Sequence, residues 1–331
     1  MPSCLRNLRR GLLYVALALL LGVAFCDTQQ PDTFAAITAI PPWCWLLVSA
    51  ALGGLGFTAV PSWEKKVFVV LLVVFLFAFV DQSRSVVRLA QDALFRSRHN
   101  VALPTLRVVT INCSVGNPLA ADEVQAWHPD IVLLQESPNE QAVRQLAQSL
   151  FGNDAGVAWS ADCTIIARGK LLSANTMVKH FMQATLVTRD GQEVEVFCLR
   201  LSPPVVRYDL WTASCWAEHA AMRRKQRQEA AELASALPSV PEQRPILIGG
   251  DCNAPARDGA LRSWSPRLRD SFATAGRGWG GTVLNEFPAM RFDQLWSSSE
   301  LQPTCVWSVR SEHSDHRMVV GDFVISATHA E

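Results

Sequence analysis

Short acidic and amide patterns recur through the C-terminal two thirds of the sequence: Asn112, Gln135-Glu136, Asp251-Cys252-Asn253, Asp293 and Asp315-His316. The first three each close an apolar run, LRVVTI before Asn112, IVLL before Gln135 and ILI before Gly249-Gly250-Asp251. Asp293 lies within RFDQLW, and Asp315-His316 precedes MVVGDFV. Loops at strand ends are where layered α/β folds gather functional groups. Taken singly, each residue has a plainer reading. An Asn after a strand serves a turn, a Glu there is solvated, and Asp-x-Asn makes a local Asx turn. Together, Glu136, Asn112 and Asp315 supply oxygen donors with net negative charge. That is the set a hard cation such as Mg²⁺, or Mn²⁺ in its place, requires.

Positioning these groups calls for many short elements. β-branched and aliphatic runs predict strands over 106–111, 131–134, 164–167, 183–188, 194–201, 246–248, 292–296, 304–309 and 318–324. Apolar periodicity predicts helices over 121–127, 140–150 and 216–237. Strands and helices mixed over so long a stretch make one layered α/β domain, sheets packed together with helices outside. The last helix carries Arg223, Arg224, Lys225 and Arg227, read as a solvated face or, as a minority alternative, a phosphate-steering patch.

The first hundred residues differ in texture. Three apolar stretches, about 11–27, 41–60 and 64–81, predict transmembrane helices forming a membrane anchor over 1–81. The third is short and borrows Trp63, Lys65 and Lys66 as interfacial anchors. A cleaved signal peptide is the competing reading of the first stretch, but bulky Phe25 makes its end a poor cleavage site. A linker with helical character follows over 82–104, lying along the membrane surface or serving as an ordinary solvated connector, and the catalytic domain runs over 105–326. Arg6, Arg9 and Arg10 place the N-terminus in the cytoplasm, and the first loop, over 27–38, lacks Lys and Arg. Three crossings of the cell (inner) membrane then put the catalytic domain on the extracytoplasmic side. Arg84, Arg88, Arg96 and Arg98 follow the last span, where that rule disfavours cations.

Charge narrows the partner classes. The whole chain has 30 Lys and Arg against 30 Asp and Glu, and the part after residue 100 is about −4, unlike a dedicated polyanion binder. Nine cysteines without a CxxC pair or Cys/His spacing argue against a zinc site. They read as small buried apolar residues, Cys252 included.

In this order the motifs LRVVTIN (106–112), PDIVLLQE (129–136), GDCNAP (250–255), RFDQLW (291–296) and SDHR (314–317) resemble the endonuclease/exonuclease/phosphatase superfamily. The three-span anchor looks like that of a membrane-bound bacterial subgroup. The resemblance implies a deoxyribonuclease I-like fold, two packed mixed β-sheets flanked by helices. It also implies a Mg²⁺-dependent phosphoester hydrolase, with Glu136 the principal metal ligand and Asn112 and Asp315 supporting it. Asp251 would orient or deprotonate the attacking water and Asn253 hold a phosphate oxygen. His316 would donate to the phosphoryl group, with Asp293 orienting it. Where the family commonly has a His, this chain has Arg200, which stays protonated and cannot act as a general acid but can clamp a phosphate. His219 and His313 are the alternative proton donors, each with a surface-histidine reading beside it. The expected partners are the bilayer and a phosphoester substrate (lipid, envelope phosphate or nucleic acid), with no protein partner. The alternative is a catalytically impaired membrane protein with a binding or structural role on the same scaffold, for which Arg200 is the best support.

Overall fold

The computed structural model describes residues 3–95, 106–175, 180–238 and 244–326. The linker expected over 82–104 is therefore described only to residue 95, and Arg96 and Arg98 lie outside the described residues. Two compact units are distinguished. One comprises Met1–Arg84, Val205–Arg224 and Arg257–Gly259; the other comprises Ser85–Pro204, Lys225–Ala256 and Ala260–Glu331.

The N-terminal elements are α1 (Ser3–Gln29), α2 (Ala35–Ala39), α3 (Pro42–Gly56), α4 (Ser62–Phe79) and α5 (Asp81–Phe95). Within the first unit α1, α3 and α4 share an apolar interior that includes Leu13, Ala16, Leu20, Phe68 and Phe75. A side chain at Gly53 would overlap the Phe68 ring, so this glycine allows α3 and α4 to pack closely. The outward positions are apolar as well, among them Leu21, Leu47, Leu55, Val70 and Val74. Two segments, Ser3–Gln29 and Pro42–Ala59, are long and apolar enough to cross a membrane. The expected third span is conditional: α4 carries Glu64, Lys65 and Lys66 near its start, and qualifies only when counted together with the following helix, from which it is bent by 84°. Glu64, only 4 % exposed, accepts from Arg10 at 2.7 Å and from Tyr14 at 3.3 Å.

The second unit supplies a sandwich. Its elements are β1 (Leu106–Asn112), α6 (Pro118–Asp122), β2 (Ile131–Gln135), α7 (Glu140–Phe151), β3 (Ala155–Ala158), β4 (Cys163–Arg168), β5 (Lys170–Asn175), β6 (Phe181–Val187) and β7 (Glu193–Arg200). There follow α8 (Ala213–Ala236, shared with the first unit), β8 (Ile246–Asp251), β9 (Arg269–Asp270), α9 (Ser271–Ala275), β10 (Asp293–Ser297), β11 (Leu301–Val309) and β12 (Met318–Ile325). Two six-stranded mixed sheets result, ordered β11-β12-β1-β2-β4-β3 and β5-β6-β7-β8-β10-β9. Period-two alternation explains the layering. Val108, Ile131 and Leu133 of one sheet meet Val196, Leu247 and Leu295 of the other between the sheets. Their sequence neighbours Val109, Val132 and Leu134 face outward against Ala120, Val143 and Leu146 of α6 and α7. On the opposite outer face Phe197 and Ile248 pack with Ala230 and Leu233 of α8. The expected two-sheet sandwich with helices outside is what forms.

One expectation about α8 is corrected. Arg223 is not on a solvated face: it is 3 % exposed and donates to Asp258, itself 7 % exposed, at 2.8 Å. It also donates to the Pro31 carbonyl and to Thr38. Arg224 and Lys225 are exposed as expected. A run of basic residues gives no local sign that one of them has a buried carboxylate partner 35 residues further on. All nine cysteines are free thiols, and Cys252 is buried.

Candidate active site

Strand direction gathers the site. In each sheet the two central strands run parallel, β1 beside β2 and β7 beside β8. Their C-terminal ends carry Asn112, Gln135-Glu136, Arg200 and Asp251. In register, Asn112 stands opposite Gln135, and Arg200 opposite Asp251. The antiparallel neighbours start where these end. Asp293, the first residue of β10, pairs with Asp251, and Asp315-His316-Arg317 directly precedes β12, which pairs with β1. Gly250 makes room locally. It adopts φ +145, and any side chain there would meet the Leu199 carbonyl.

Asn112, 1 % exposed, joins the two sheets' contributions. Its Nδ2 donates to Glu136 Oε1 and to Asp251 Oδ2, each at 3.2 Å. Its Oδ1 accepts from the Ser114 backbone N–H at 2.9 Å, so an Asx turn sets the side chain. Glu136 adopts a positive φ of 45 and is held by backbone bonds from Glu136 N and Ser137 N to the Asp162 and Ala161 carbonyls. Its Oε1 also accepts from Arg200 Nη2 at 2.7 Å, and its Oε2 from the Val115 N–H at 2.7 Å. Arg200 Nη1 lies 3.5 Å from Asp162 Oδ1, while its buried Nε has no acceptor.

Asp251 Oδ1 accepts from the Asn253 N–H at 2.9 Å. Burial, and next the charge of Asp293, push the Asp251 carboxyl up to about 6, against the opposing pull of His316 and of bonds from Asn253 and Asn112. Asn253 has a positive φ of 48, and its Nδ2 donates to the Leu201 carbonyl at 2.9 Å. Asp293 is fully buried; its Oδ2 lies 2.8 Å from His316 Nδ1, and its Oδ1 has no donor. Burial works against a charged His316, but Asp293 outweighs it, helped by Asp251 and Asp315, and the imidazole is pushed up to about 10. Nδ1–H therefore points at the carboxylate, and the ring stays a donor at Nε2 near neutral pH.

Asp315 is exposed; its Oδ1 accepts from Ser114 Oγ at 2.7 Å, and its carbonyl from the Asn285 N–H at 2.9 Å. Ser314 Oγ donates to the Asn112 carbonyl at 2.7 Å and so fastens the Asp315 loop to β1. Ser114, Ser314 and Asp162 are the positioning residues that sequence reasoning missed. Only the placement of Ser114 two residues after Asn112 signalled an Asx turn. The alternative donors are both engaged elsewhere: His313 Nδ1 lies 2.9 Å from Glu123 Oε1, and His219 Nε2 lies 2.9 Å from the Arg207 carbonyl.

The expected cation ligands are carboxylates, the donor type a hard divalent cation takes. Glu136 and Asp315 both bind the Ser114-Val115 turn and bring carboxylates to it. Among the described residues, the group of three His, Cys or acidic side chains whose ligand atoms lie within 4.8 Å of one another is Asp251, Asp293 and His316, not Glu136 and Asp315; with His316 protonated, that group offers a cation only its two carboxylates. The orphaned buried Asp293 Oδ1 is the kind of atom a cation or a polarised water satisfies. Asn112 presents nitrogen, not oxygen, to Glu136, and Arg200 stands on Glu136.

Solved structures share this fold. An endonuclease/exonuclease/phosphatase family protein from Bacteroides thetaiotaomicron aligns with a TM-score of 0.54 at 14% identity, over 69% of this chain and 98% of that one. Its counterpart from Bacteroides vulgatus gives 0.54 at 14%, over 67% and 100%. D. rerio TDP2, complexed with a single-strand DNA product, gives 0.50 at 15%, over 66% and 98%. At these identities the likeness is one of fold. A search of curated proteins found no match. The family model described as Endonuclease/Exonuclease/phosphatase family matches residues 109–316, a span that runs from β1 to His316 and takes in every strand end described above. The chain is a member of the endonuclease/exonuclease/phosphatase family.

Proposed function

We propose that this protein is a membrane-anchored phosphoester hydrolase, a phosphodiesterase or phosphatase assisted by Mg²⁺ or Mn²⁺. The observation that carries the reading is that Asn112 bonds both Glu136 and Asp251, while the ligand atoms of Asp251 and of the hydrogen-bonded pair Asp293 and His316 lie within 4.8 Å of one another. Glu136 and Asp315 would hold the cation, with Asn112 beside them once its amide turns. When bound, the ion would neutralise charge on a phosphate oxygen. Asp251, with its carboxyl near 6, is a base suited to orienting and deprotonating water close to neutrality. Asn253 has a second amide hydrogen for a phosphate oxygen, and His316 Nε2–H donates to the phosphoryl group as charge builds. Asp293 keeps His316 protonated and aimed. Arg200 clamps a non-bridging oxygen once released from Glu136. The helices Ser3–Gln29 and Pro42–Ala59 support anchoring. Together with the basic N-terminus they support a multi-pass protein of the cell membrane, and a third crossing that begins in α4 would put the catalytic domain on the extracytoplasmic side.

The test is turnover of bis(4-nitrophenyl) phosphate by the full chain in detergent, with Mg²⁺ and with EDTA. Loss of turnover with EDTA, and a loss of about a hundredfold or more in Glu136→Gln, is expected. Full activity of that variant sinks the reading. The Arg200–Glu136 pair favours one competing reading, an impaired enzyme with a binding role, and absence of metal binding by calorimetry would support it. Protease accessibility in intact cells tests the side of the membrane.

A further inference from the structure

Seven non-glycine residues adopt a positive φ among the described residues: Gln30, Ser114, Val115, His128, Glu136, Asn253 and Leu284. Only Val115 and Leu284 are aliphatic. A β-branched Val at φ 60 and a Leu at φ 62 are costly backbone states, tolerated where the surroundings impose them. Yet neither residue repays that cost by burial: Val115 is 92 % exposed and Leu284 58 %.

Both belong to loops fastened to the same residue. Ser114, one residue before Val115, donates its hydroxyl to Asp315 Oδ1. Asn285, one residue after Leu284, donates its backbone N–H to the Asp315 carbonyl. The Val115 N–H itself holds Glu136, and Val283, on the other side of Leu284, bridges to His316. Phe287, 68 % exposed, continues the second loop. Scattered surface aliphatics are ordinary. Two strained ones, each a single residue from a group bonded to Asp315, are a feature of the site's edge.

We infer that Val115, Leu284 and Phe287 form an apolar rim that receives the hydrocarbon part of a lipid phosphoester whose phosphate lies among Glu136, Asp251 and His316. This inference rests on the hydrolase reading above and narrows its substrate class. Charge favours a lipid over a nucleic acid, because the part of the chain after residue 100 is net acidic while polynucleotide affinity depends on cationic contacts. Tethering favours it too, since the same chain carries helices able to cross a bilayer.

The test is titration of the full chain in phosphatidylcholine nanodiscs, with Mg²⁺, by methylphosphonate and by octylphosphonate below its micellar concentration, empty nanodiscs serving as blank. A buried methylene is worth about fourfold in affinity, so octylphosphonate should bind at least about tenfold more tightly. In V115N/L284N that ratio should fall towards one. Asn tolerates the left-handed region, so the double variant removes apolar surface without adding backbone cost, and circular dichroism checks its fold. Equal affinities in the wild type, or a ratio unchanged in the double variant, overturn the rim. So does tighter binding of a short oligothymidylate than of octylphosphonate. Failure of both phosphonates to bind would instead strike at the phosphate site on which the hydrolase reading depends.

Discussion

Arg200 Nη2 lies 2.7 Å from Glu136 Oε1, so the carboxylate expected to be the chief cation ligand is already paired with a guanidinium. The pairing is built into the fold. Arg200 ends β7 in register with Asp251, and Glu136 is fixed one residue past β2 by Asn112, Val115 and its own backbone bonds. A divalent ion and a guanidinium so close to one carboxylate repel each other by an amount on the order of kcal/mol even at an effective dielectric of about 20.

Arg200→Ala should therefore bind Mn²⁺ about tenfold or more tightly than the wild type, since 1.4 kcal/mol of relieved repulsion is a factor of about ten. Isothermal titration calorimetry on the full chain reads this directly, with Glu136→Gln as the variant that binds least. Turnover should move the other way, because Arg200→Ala also loses the phosphate clamp. An unchanged or weaker Mn²⁺ affinity in Arg200→Ala would mean the pair does not contest the cation.

The pH dependence of kcat/KM follows from two groups of opposite role. Asp251 acts ionised, so activity rises as pH climbs through about 6. His316 acts protonated, so activity falls as pH climbs through about 10. Asp293 is the main influence holding His316 up, and Asp293→Asn should shift the falling limb to lower pH by at least one unit and lower the plateau. A falling limb that stays in place would show that Asp293 does not tune His316.

The same shift bears on stability. His316 has its folded value, about 10, above its ordinary 6.5. Its protonated form thus stabilises the fold fully below pH 6.5, and that contribution is lost as pH rises through 10. The melting temperature should fall between pH 7 and 10 in the wild type and fall less steeply in His316→Ala, measured by intrinsic fluorescence.

Much of this arrangement is legible in the residues, and the rest is hidden for identifiable reasons. Asn112, Glu136 and Asp251 stand out because each breaks an apolar run at its C-terminal end, where a strand must give way to a loop. That they meet depends on the strand orders within the two sheets and on how the sheets pack, which no local pattern encodes. β3, β5 and β9 escaped notice. β3 contains only Ala155, Gly156, Val157 and Ala158, β9 is two residues long, and such segments lack the alternation that marks a strand. The Arg200–Glu136 pair joins positions 64 residues apart, so a substitution at one gave no sign of its effect on the other. The two serines that hold the Asp315 loop look like ordinary loop residues until the loops are seen together.

Arg223 and Asp258 form a buried ion pair within the first unit. The guanidinium and the carboxylate are 3 % and 7 % exposed and 2.8 Å apart. Removing one member of a buried pair strands the other's charge in a poor solvent, at a cost of about 3–5 kcal/mol. Arg223→Ala should accordingly lower the melting temperature of the detergent-solubilised chain by several degrees. Arg224→Ala, at an exposed position, should change it by no more than the error of the measurement. Replacing both partners, as in R223M/D258L, removes the charges along with their desolvation cost and should recover most of the loss. If Arg223→Ala and Arg224→Ala melt alike, the pair contributes nothing to stability and the original reading of Arg223 as a solvated residue would have to be restored.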